Sequence, residues 1–543
     1  MSQTEDVVVV NGVVRTVDER DTVAQAVLLS GGRIAAVGTE EAVRNAASGT
    51  SVVVDVGGRT VVPGFIDNHN HLSVAAFDPV GVDCSTPPRS TLGEVLESIE
   101  SYCKDLPEGQ WVMGSGFFHA HVREQRNPTR QELDEVAPMN PFFLRDISCH
   151  AGYANSRALD LAGINAHAPQ PWGGEFEKDN KGQPTGTLLE AAINLLHEAA
   201  WGSYVERDWE TAVELLSSKM REYLSLGITG VGDTLVTTKV AELYRRASAG
   251  GALPLTVQQY HGGDLFYSPP DLRRSDILDR VLAGGDDRLR GGAVKLFVDR
   301  FFPDGPTIDE VHDGCVTHVG TPFHSREEIV ELAVGAADLG ISTAIHAMGG
   351  CAVGACLDAY EEVRRRARSG SVLRMEHAFV AETRHAQRIA DLDVDFVGNP
   401  GLAWLWGEVF TGVRHDGQDH LKVLPMRSMI DAGARVSLAS DSPCGPVSPM
   451  VIMSAAVNRL TQHGTPIDPD EAITPAEALL GYTRNAAHAA GRASEEGSLE
   501  VGKRANLLVL ERDPITCSAT DIMDIQVDRT YVDGELVHHR SGR

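Results

Sequence analysis

The chain has 543 residues, of which 76 are Asp or Glu and 48 are Lys or Arg, giving a formal charge of −28 at pH 7. A surface this acidic repels polyphosphate, so nucleic acid and anionic membrane are excluded as expected partners. With 42% hydrophobic and 23% charged residues the composition is that of an ordinary globular protein, long enough for roughly three to four domain-sized units or one barrel with additions.

The first residues, Met1 to Asp6, are polar and acidic and resemble neither a signal nor a transit peptide. No apolar run approaches the ~18 residues of a membrane span. Eight Cys without a CxxC pair are too sparse for a disulfide scaffold and suit a reducing compartment. The expectation is a soluble, cytoplasmic enzyme. The N-terminal stretch then reads as short β-branched strands, Val7–Val10, Val13–Val17, Ala26–Leu29, Arg33–Val37 and Val52–Val54, broken by turns such as Asn11-Gly12 and Gly31-Gly32. The C-terminal stretch reads alike: Ala505–Leu510, Ile525–Val532 and Leu536–His538 are strands, with Asp533-Gly534 as a hairpin signal. Residues 1–62 and 492–543 are therefore expected to form one small β-sandwich from both termini.

Residues 63–491 alternate apolar strands with helical patterns. Eight strands are predicted: Val62–Ile66, Gly227–Gly232, Leu255–Tyr260, Ala293–Val298, Ser342–Ile345, Val372–Met375, Val394–Val397 and Val436–Ala439. Eight is the number a closed (β/α)₈ TIM-like barrel needs, so the fold class is α/β. After the fifth strand, Val353, Cys356, Leu357, Tyr360 and Val363 form one apolar stripe of a helix. After the eighth, Thr474-Pro475-Ala476-Glu477 is a capping box with Pro at the first helical position. About 160 residues separate the first two strands, far more than one helix. A large insertion at about 85–205 is expected to cover the barrel mouth, where loops after barrel strands build catalytic sites.

The strongest chemical signal is the stretch from Pro63 to His71. His69 and His71, two apart on an extended strand, point to the same side, here the barrel mouth, and two imidazoles there can hold a divalent ion. Alone, such a pair is as readily a polar loop. Further donors fall at later predicted strand ends: His346, His377 and Asp441, with Lys295 inside an otherwise apolar strand. Neutral His and carboxylate suit Zn²⁺ and similar ions, and a catalytic ion keeps a position open for a water whose pKa it lowers to ~7. Asp441 is placed to take that water's proton and pass it to a leaving nitrogen. Lys295 cannot bind metal as an ammonium. Burial lowers a lysine's pKa, and the neutral amine can add carbon dioxide to give an anionic carbamate bridge between two ions. The alternative is a salt bridge to Asp299 or Asp441.

Taken in order, Gly-Phe-Ile-Asp-x-His-x-His, Lys295, His346, His377 and Asp441 resemble the amidohydrolase superfamily over nearly the whole chain. Within the insertion, Asn127-Pro128-Thr129-Arg130, the stretch from Leu144 to Asn155, Trp172-Gly173-Gly174 and the stretch from Pro184 to Glu190 resemble its YtcJ-like branch, which includes N-substituted formamide deformylase. So do Gly232-Asp233-Thr234, His346-Ala347-Met348-Gly349-Gly350 and Ser440-Asp441-Ser442-Pro443. The resemblance implies metal-dependent hydrolysis, usually with zinc and usually at carbon–nitrogen bonds. Two departures bear on substrate. The Asp-Gly pair common after the strand-four lysine is replaced by Leu-Phe-Val-Asp-Arg-Phe-Phe, and an insertion Asp-Gly-His by Ser148-Cys149-His150. The glutamate that deaminase-type relatives place three residues after the fifth-strand histidine is Gly349 here, against a deaminase.

His69, His71, Lys295, His346, His377 and Asp441 are thus the expected metal residues for one or two ions, with Asp441 also catalytic. His150, Trp172, Glu190 and Phe301 are the candidates for substrate contact. Trp404, Trp406 and Phe302 are further aromatics that could line an apolar pocket, whereas His119, His121 and His324 read as surface or loop residues. The expected function is hydrolysis of an amide, formamide or cyclic amide bond in a small molecule. Ester, lactone or carbamate cleavage needs the same machinery, and a metal-free barrel scaffold is the reading from another class. A homodimer is expected only from common practice among such barrels.

Overall fold

The computed structural model describes residues 5–171, 173–262, 279, 281–283, 286–300, 308–312, 315–319, 323–366, 370–412 and 421–540, with backbone alone at 308–312 and 315–319. Trp172, Phe301 and Phe302 lie outside the described residues.

Eight parallel strands make a nearly closed barrel. In chain order they are Phe65–Asn70, Ile228–Val236, Thr256–His261, Leu289–Phe297, Ser342–Gly349, Leu373–Glu382, Asp395–Gly398 and Val436–Leu438. Each pairs in parallel with the next, from the first through the eighth. Most of their residues are buried, as parallel strands covered on both faces require. The eighth and first strands share no ladder. Their C-terminal ends are stitched instead by Asp441 N–H donating to His69 O and His71 N–H to Ser442 O, both 2.8 Å. Buried side chains continue the seam below: the Asp67 carboxylate accepts from Ser440 N (2.8 Å) and Ser440 Oγ (2.6 Å), and Asn68 donates to Ser437 Oγ (3.2 Å). The seam thus closes at the residues that carry the candidate donors.

The run read from sequence as one strand, Val62–Ile66, divides at Gly64. Thr60–Pro63 pairs antiparallel with Leu507–Leu510, and Phe65–Asn70 enters the barrel. A Cβ at Gly64 would lie 2.3 Å from Thr229 Oγ1, so glycine lets the first two barrel strands approach. One six-stranded sheet takes Val13–Arg15, Val23–Ala24 and Thr60–Pro63 from the N-terminal stretch and Leu507–Leu510, Val527–Val532 and Glu535–His539 from the C-terminal one. A four-stranded sheet of Arg33–Gly38, Ala26–Ser30, Val7–Val10 and Val52–Asp55 packs with it around Val9, Val27, Leu29, Val61, Leu507 and Tyr531. Asp533 and Gly534 both have positive φ, 50° and 79°, as a two-residue hairpin turn requires.

Between the first two barrel strands the chain builds its own six-stranded sheet, ordered Gly174–Lys178, Pro184–Glu190, Ala151–Ala154, Phe142–Asp146, Val112–Phe117, Val82–Asp83. The helices Leu92–Cys103 and Arg130–Val136 each begin with a capping box, and Ala191–Val205 follows Glu190 directly. The helix after the fifth barrel strand, Gly350–Arg366, buries Val353, Cys356, Leu357, Tyr360 and Val363, each contributing about 1.5–3 kcal/mol or less by size. Tyr360 Oη donates to Arg374 O at 2.6 Å, tying that helix to the sixth strand. Thr474 caps Pro475–Tyr482 as the sequence predicts. Among the described residues no helix is long and apolar enough to cross a membrane.

Candidate metal centre

His69, His71 and Asp441 present donor atoms that all lie within 4.8 Å of one another at the barrel mouth. Asp441 Oδ1 is 3.4 Å from His69 Nε2 and 3.1 Å from His71 Nε2. The rings of His69 and His377 are 4.6 Å apart between centroids, and those of His377 and His346 also 4.6 Å. Lys295 Nζ lies 3.2 Å from His69 Nε2 and 4.9 Å from the Phe297 ring centre. All six residues brought forward from the sequence therefore line one cavity of about 70 Å³. Among the described residues Lys295 forms no ion pair, so the salt bridge to Asp299 or Asp441 is not made. Asp299 instead accepts from Met348 N (2.9 Å) and Gly349 N (3.0 Å), holding the backbone just after His346.

The outer nitrogens of the imidazoles are engaged, and this fixes what their inner nitrogens offer. His69 Nδ1–H donates to Glu376 Oε2 at 2.5 Å. Glu376 is wholly buried and receives Arg374 at both oxygens, 2.9 Å each. Arg374 also donates to Tyr260 Oη and, at 3.0 Å, to Asn68 O. His377 Nδ1–H donates to Asn399 Oδ1 at 2.9 Å, while Asn399 Nδ2 is directed to Ala439 O. His71 Nδ1 is 3.5 Å from Thr234 Oγ1, whose own proton goes to Asn70 O. Each inner Nε2 is left with a lone pair facing the cavity, the tautomer a metal ligand needs. Glu376 was not singled out from the sequence. Its signal is Arg374-x-Glu376, two charges on one face of a strand otherwise apolar.

The electrostatics agree. Burial, reinforced by the Lys295 charge, pushes His69 down to about 4. Burial and the neighbouring imidazoles and lysine hold His346 and His377 well below the usual imidazole range, so all three are neutral at pH 7. Burial also lowers Lys295 to about 8, leaving a share of neutral amine near pH 7. Burial alone would raise the Asp441 carboxyl, but the surrounding imidazoles overcome it and hold the group below its ordinary range. His346 Nε2 and Asp441 Oδ1 are buried with no hydrogen-bond partner. A carboxylate oxygen and several imidazole nitrogens thus face one small cavity, two of these atoms without a hydrogen-bond partner. That is a costly arrangement which a divalent cation resolves, so the donor set fits a metal. His377 (φ 77°), Ala378 (51°) and Asp441 (56°) adopt left-handed backbone here, strain of the kind stored at working sites.

The insertion supplies the opposite wall. His150 Nδ1 contacts Glu190 Oε2 at 2.7 Å, and its ring lies 5.7 Å from that of His346. Burial opposes charge on His150, yet the Glu190 carboxylate outweighs it and raises the imidazole's pKa. Glu190 (φ 54°) starts the helix Ala191–Val205 but makes no cap with its side chain, which turns to His150. Two sequence candidates thus meet as one part-buried pair. A second, larger pocket of about 280 Å³ shares His150, His346, His377 and Asp441 with the metal cavity and is walled by Phe118, Met348, Phe379, Leu402, Trp406 and Phe410. Of the aromatics named from sequence, Trp406 lines it, while Phe118, Phe379 and Phe410 were not foreseen. His119 also lines this pocket, and His121 stacks on Trp406 with centroids 5.6 Å apart, so neither is a plain surface residue. His324 is buried as well, with Nδ1 at 2.6 Å from Phe297 O and its backbone N–H directed to Val298 O.

A model of the amidohydrolase family matches residues 52–538. An N-substituted formamide deformylase of Arthrobacter pascens is 62% identical over 542 residues, covering 100% of both chains. The putative amidohydrolase YtcJ of Bacillus subtilis is 26% identical, covering 98% of this chain and 99% of the other. Among solved structures, an uncharacterized metal-dependent hydrolase of Pyrococcus furiosus superposes with a TM-score of 0.72 at 25% identity, over 94% of this chain and 100% of that one.

Proposed function

This chain belongs to the amidohydrolase family, and from that premise we propose that it hydrolyses N-substituted formamides to formate and the corresponding amine. It is a metal-dependent hydrolase of carbon–nitrogen bonds other than peptide bonds. The observation that carries the formamide reading is the asymmetry of the site. A cavity of about 70 Å³ at the donors adjoins an apolar pocket of about 280 Å³, which suits a small reacting group at the donors with an apolar N-substituent beside it. The 62% identity to a formamide deformylase supports the same reading.

His69, His71, His346, His377 and Asp441 would hold one or two divalent ions, with Lys295 joining them as a carbamate if two are bound. Zinc is the ion that imidazole and carboxylate donors favour. Once bound, such an ion polarises the carbonyl and lowers the pKa of water. Asp441 takes the proton from the attacking water and returns it to the departing nitrogen. His150, whose charged form the Glu190 carboxylate favours, donates to the carbonyl oxygen as it gains charge. Phe118, Phe379, Trp406 and Phe410 hold the N-substituent and exclude water from that side. Residues 1–62 and 492–543 form one β-unit, and 63–491, with the insertion at about 85–205, the catalytic body, a division supported by the sheet that both ends share.

The test is formate release from paired N-alkyl formamides, acetamides and formate esters by protein of measured metal content. One or two equivalents of metal per chain are expected, with turnover lost on chelation. The formamide should exceed the matched acetamide by roughly 10–200-fold in kcat/KM, the usual discrimination for one methyl in a tight pocket. Equal rates on formamide and acetamide would sink the formyl reading, and a faster ester would move the activity to ester cleavage. For the lysine, protein exchanged into ¹³C-bicarbonate should show one carbamate resonance that Lys295→Ala abolishes along with part of the metal content. Lys295→Ala with full metal and full rate refutes the bridge.

A further inference from the structure

Two cysteines border the metal cavity, and nothing in the reaction above uses them. Cys149 sits in the Ser148-Cys149-His150 turn of the insertion at φ 61°, and Cys444 in the loop after the eighth barrel strand. Both line the cavity, and Cys444 also lines the apolar pocket. Cys444 Sγ donates to Ser148 O at 3.4 Å, the carbonyl joined to Cys149, so the two cysteines border the cavity side by side. Cys149 is partly exposed, whereas Cys84, Cys103 and Cys356 are buried away from this cavity. The buried Arg145 guanidinium adds positive charge near the Cys149 sulfur, a setting that favours attack by a thiol.

We propose that Cys149 and Cys444 form a peroxide-sensitive dithiol in the wall of the metal centre, which oxidises to a disulfide and shuts the site reversibly. The Cys149 sulfur attacks one oxygen of a hydroperoxide. The O–O bond breaks, the other oxygen leaves as water or alcohol, and Cys149 becomes a sulfenic acid. The Cys444 sulfur then attacks the Cys149 sulfur, the S–O bond breaks and water leaves. Two thiols are oxidised by two electrons in all, and one peroxide is reduced. The bridge would join the insertion to the barrel across the catalytic face. Bonded sulfurs lie ~2.05 Å apart, so the two loops must draw together. Cys149 is joined to His150, and Cys444 N donates to Asp441 O at 2.8 Å, so the shift reaches a substrate-facing residue and a candidate ligand directly. A displacement on the order of 1 Å in such a site costs about 10²-fold in rate.

The loss of turnover rests on the deformylase reading, but the bridge itself does not. Metal-loaded full-length protein is treated with one equivalent of hydrogen peroxide, alkylated and digested. The expected result is loss of two thiols per chain, a peptide pair linked through Cys149 and Cys444, and formate release reduced at least ~10-fold and restored by dithiothreitol. Cys444→Ser should give no linked pair, and its Cys149 should take up a sulfenic-acid probe. Both thiols remaining free, a bridge through other cysteines, or a linked protein as active as the reduced one would each overturn the proposal. A linked pair in protein that never released formate would uphold the dithiol and overturn the deformylase reading instead.

Discussion

Asp441→Asn lowers kcat for formamide hydrolysis by roughly 10²–10⁴-fold, the range for losing a positioned general base, while the fold survives. The fold survives because the backbone tie from Asp441 N to His69 O does not involve the side chain, and asparagine tolerates the left-handed conformation at φ 56°. The chemistry does not survive, because an amide is neither an anion between His69 and His71 nor able to take a proton at neutral pH. The wild-type carboxyl is held below its ordinary range by those imidazoles, so it is charged throughout the working pH range and takes a proton only in passing. The measurements are kcat on an N-alkyl formamide, metal per chain and the far-ultraviolet spectrum. A variant with full metal and near wild-type kcat would remove Asp441 from proton transfer.

How much of this was legible follows from what sequence periodicity reports. His69, His71, His346, His377 and Asp441 were placed because strand periodicity locates strand ends, and strand ends in such a barrel share one face. The apolar pocket was not placed, since Phe118 comes from the insertion and Phe379, Trp406 and Phe410 from around the sixth and seventh strands. No local pattern says that these segments meet. The division at Gly64 was also hidden, because Val62 to Ile66 is apolar throughout and only the close approach of Thr229 shows why the chain changes sheets there. His324 lies in a loop, as read from the sequence, but its burial against Phe297 is a tertiary contact that no local pattern reports. Cys149 and Cys444 are 295 positions apart (444 − 149), and the bond from Cys444 Sγ to Ser148 O that brings their loops together is purely tertiary.

Glu376 is the residue on which site and fold depend together, and Glu376→Gln separates the two. Glutamine can still accept from His69 Nδ1–H, but it brings no charge to orient the imidazole or raise its basicity. Losing such an outer partner typically lowers metal affinity about 10–100-fold. The same change leaves Arg374, wholly buried, without its counter-charge. Removing one partner of a buried pair costs about 3–5 kcal/mol. Burial would raise the Glu376 carboxyl, but Arg374 and His69 together bring it below the ordinary carboxylate range. A carboxylate depressed in the folded state stabilises it above the unfolded value, about 4.3, and that stability is lost as pH falls through the folded value. Wild type should therefore lose stability below pH ~4 more steeply than Glu376→Gln, which has nothing to protonate there. The double variant Arg374→Met/Glu376→Gln removes the stranded cation, so it should regain much of the melting temperature while metal affinity stays low. Metal titration and thermal melts on wild type and both variants decide the matter. If affinity returns with stability in the double variant, Glu376 only supports the barrel interior; if it stays low, Glu376 sets the His69 lone pair on the ion.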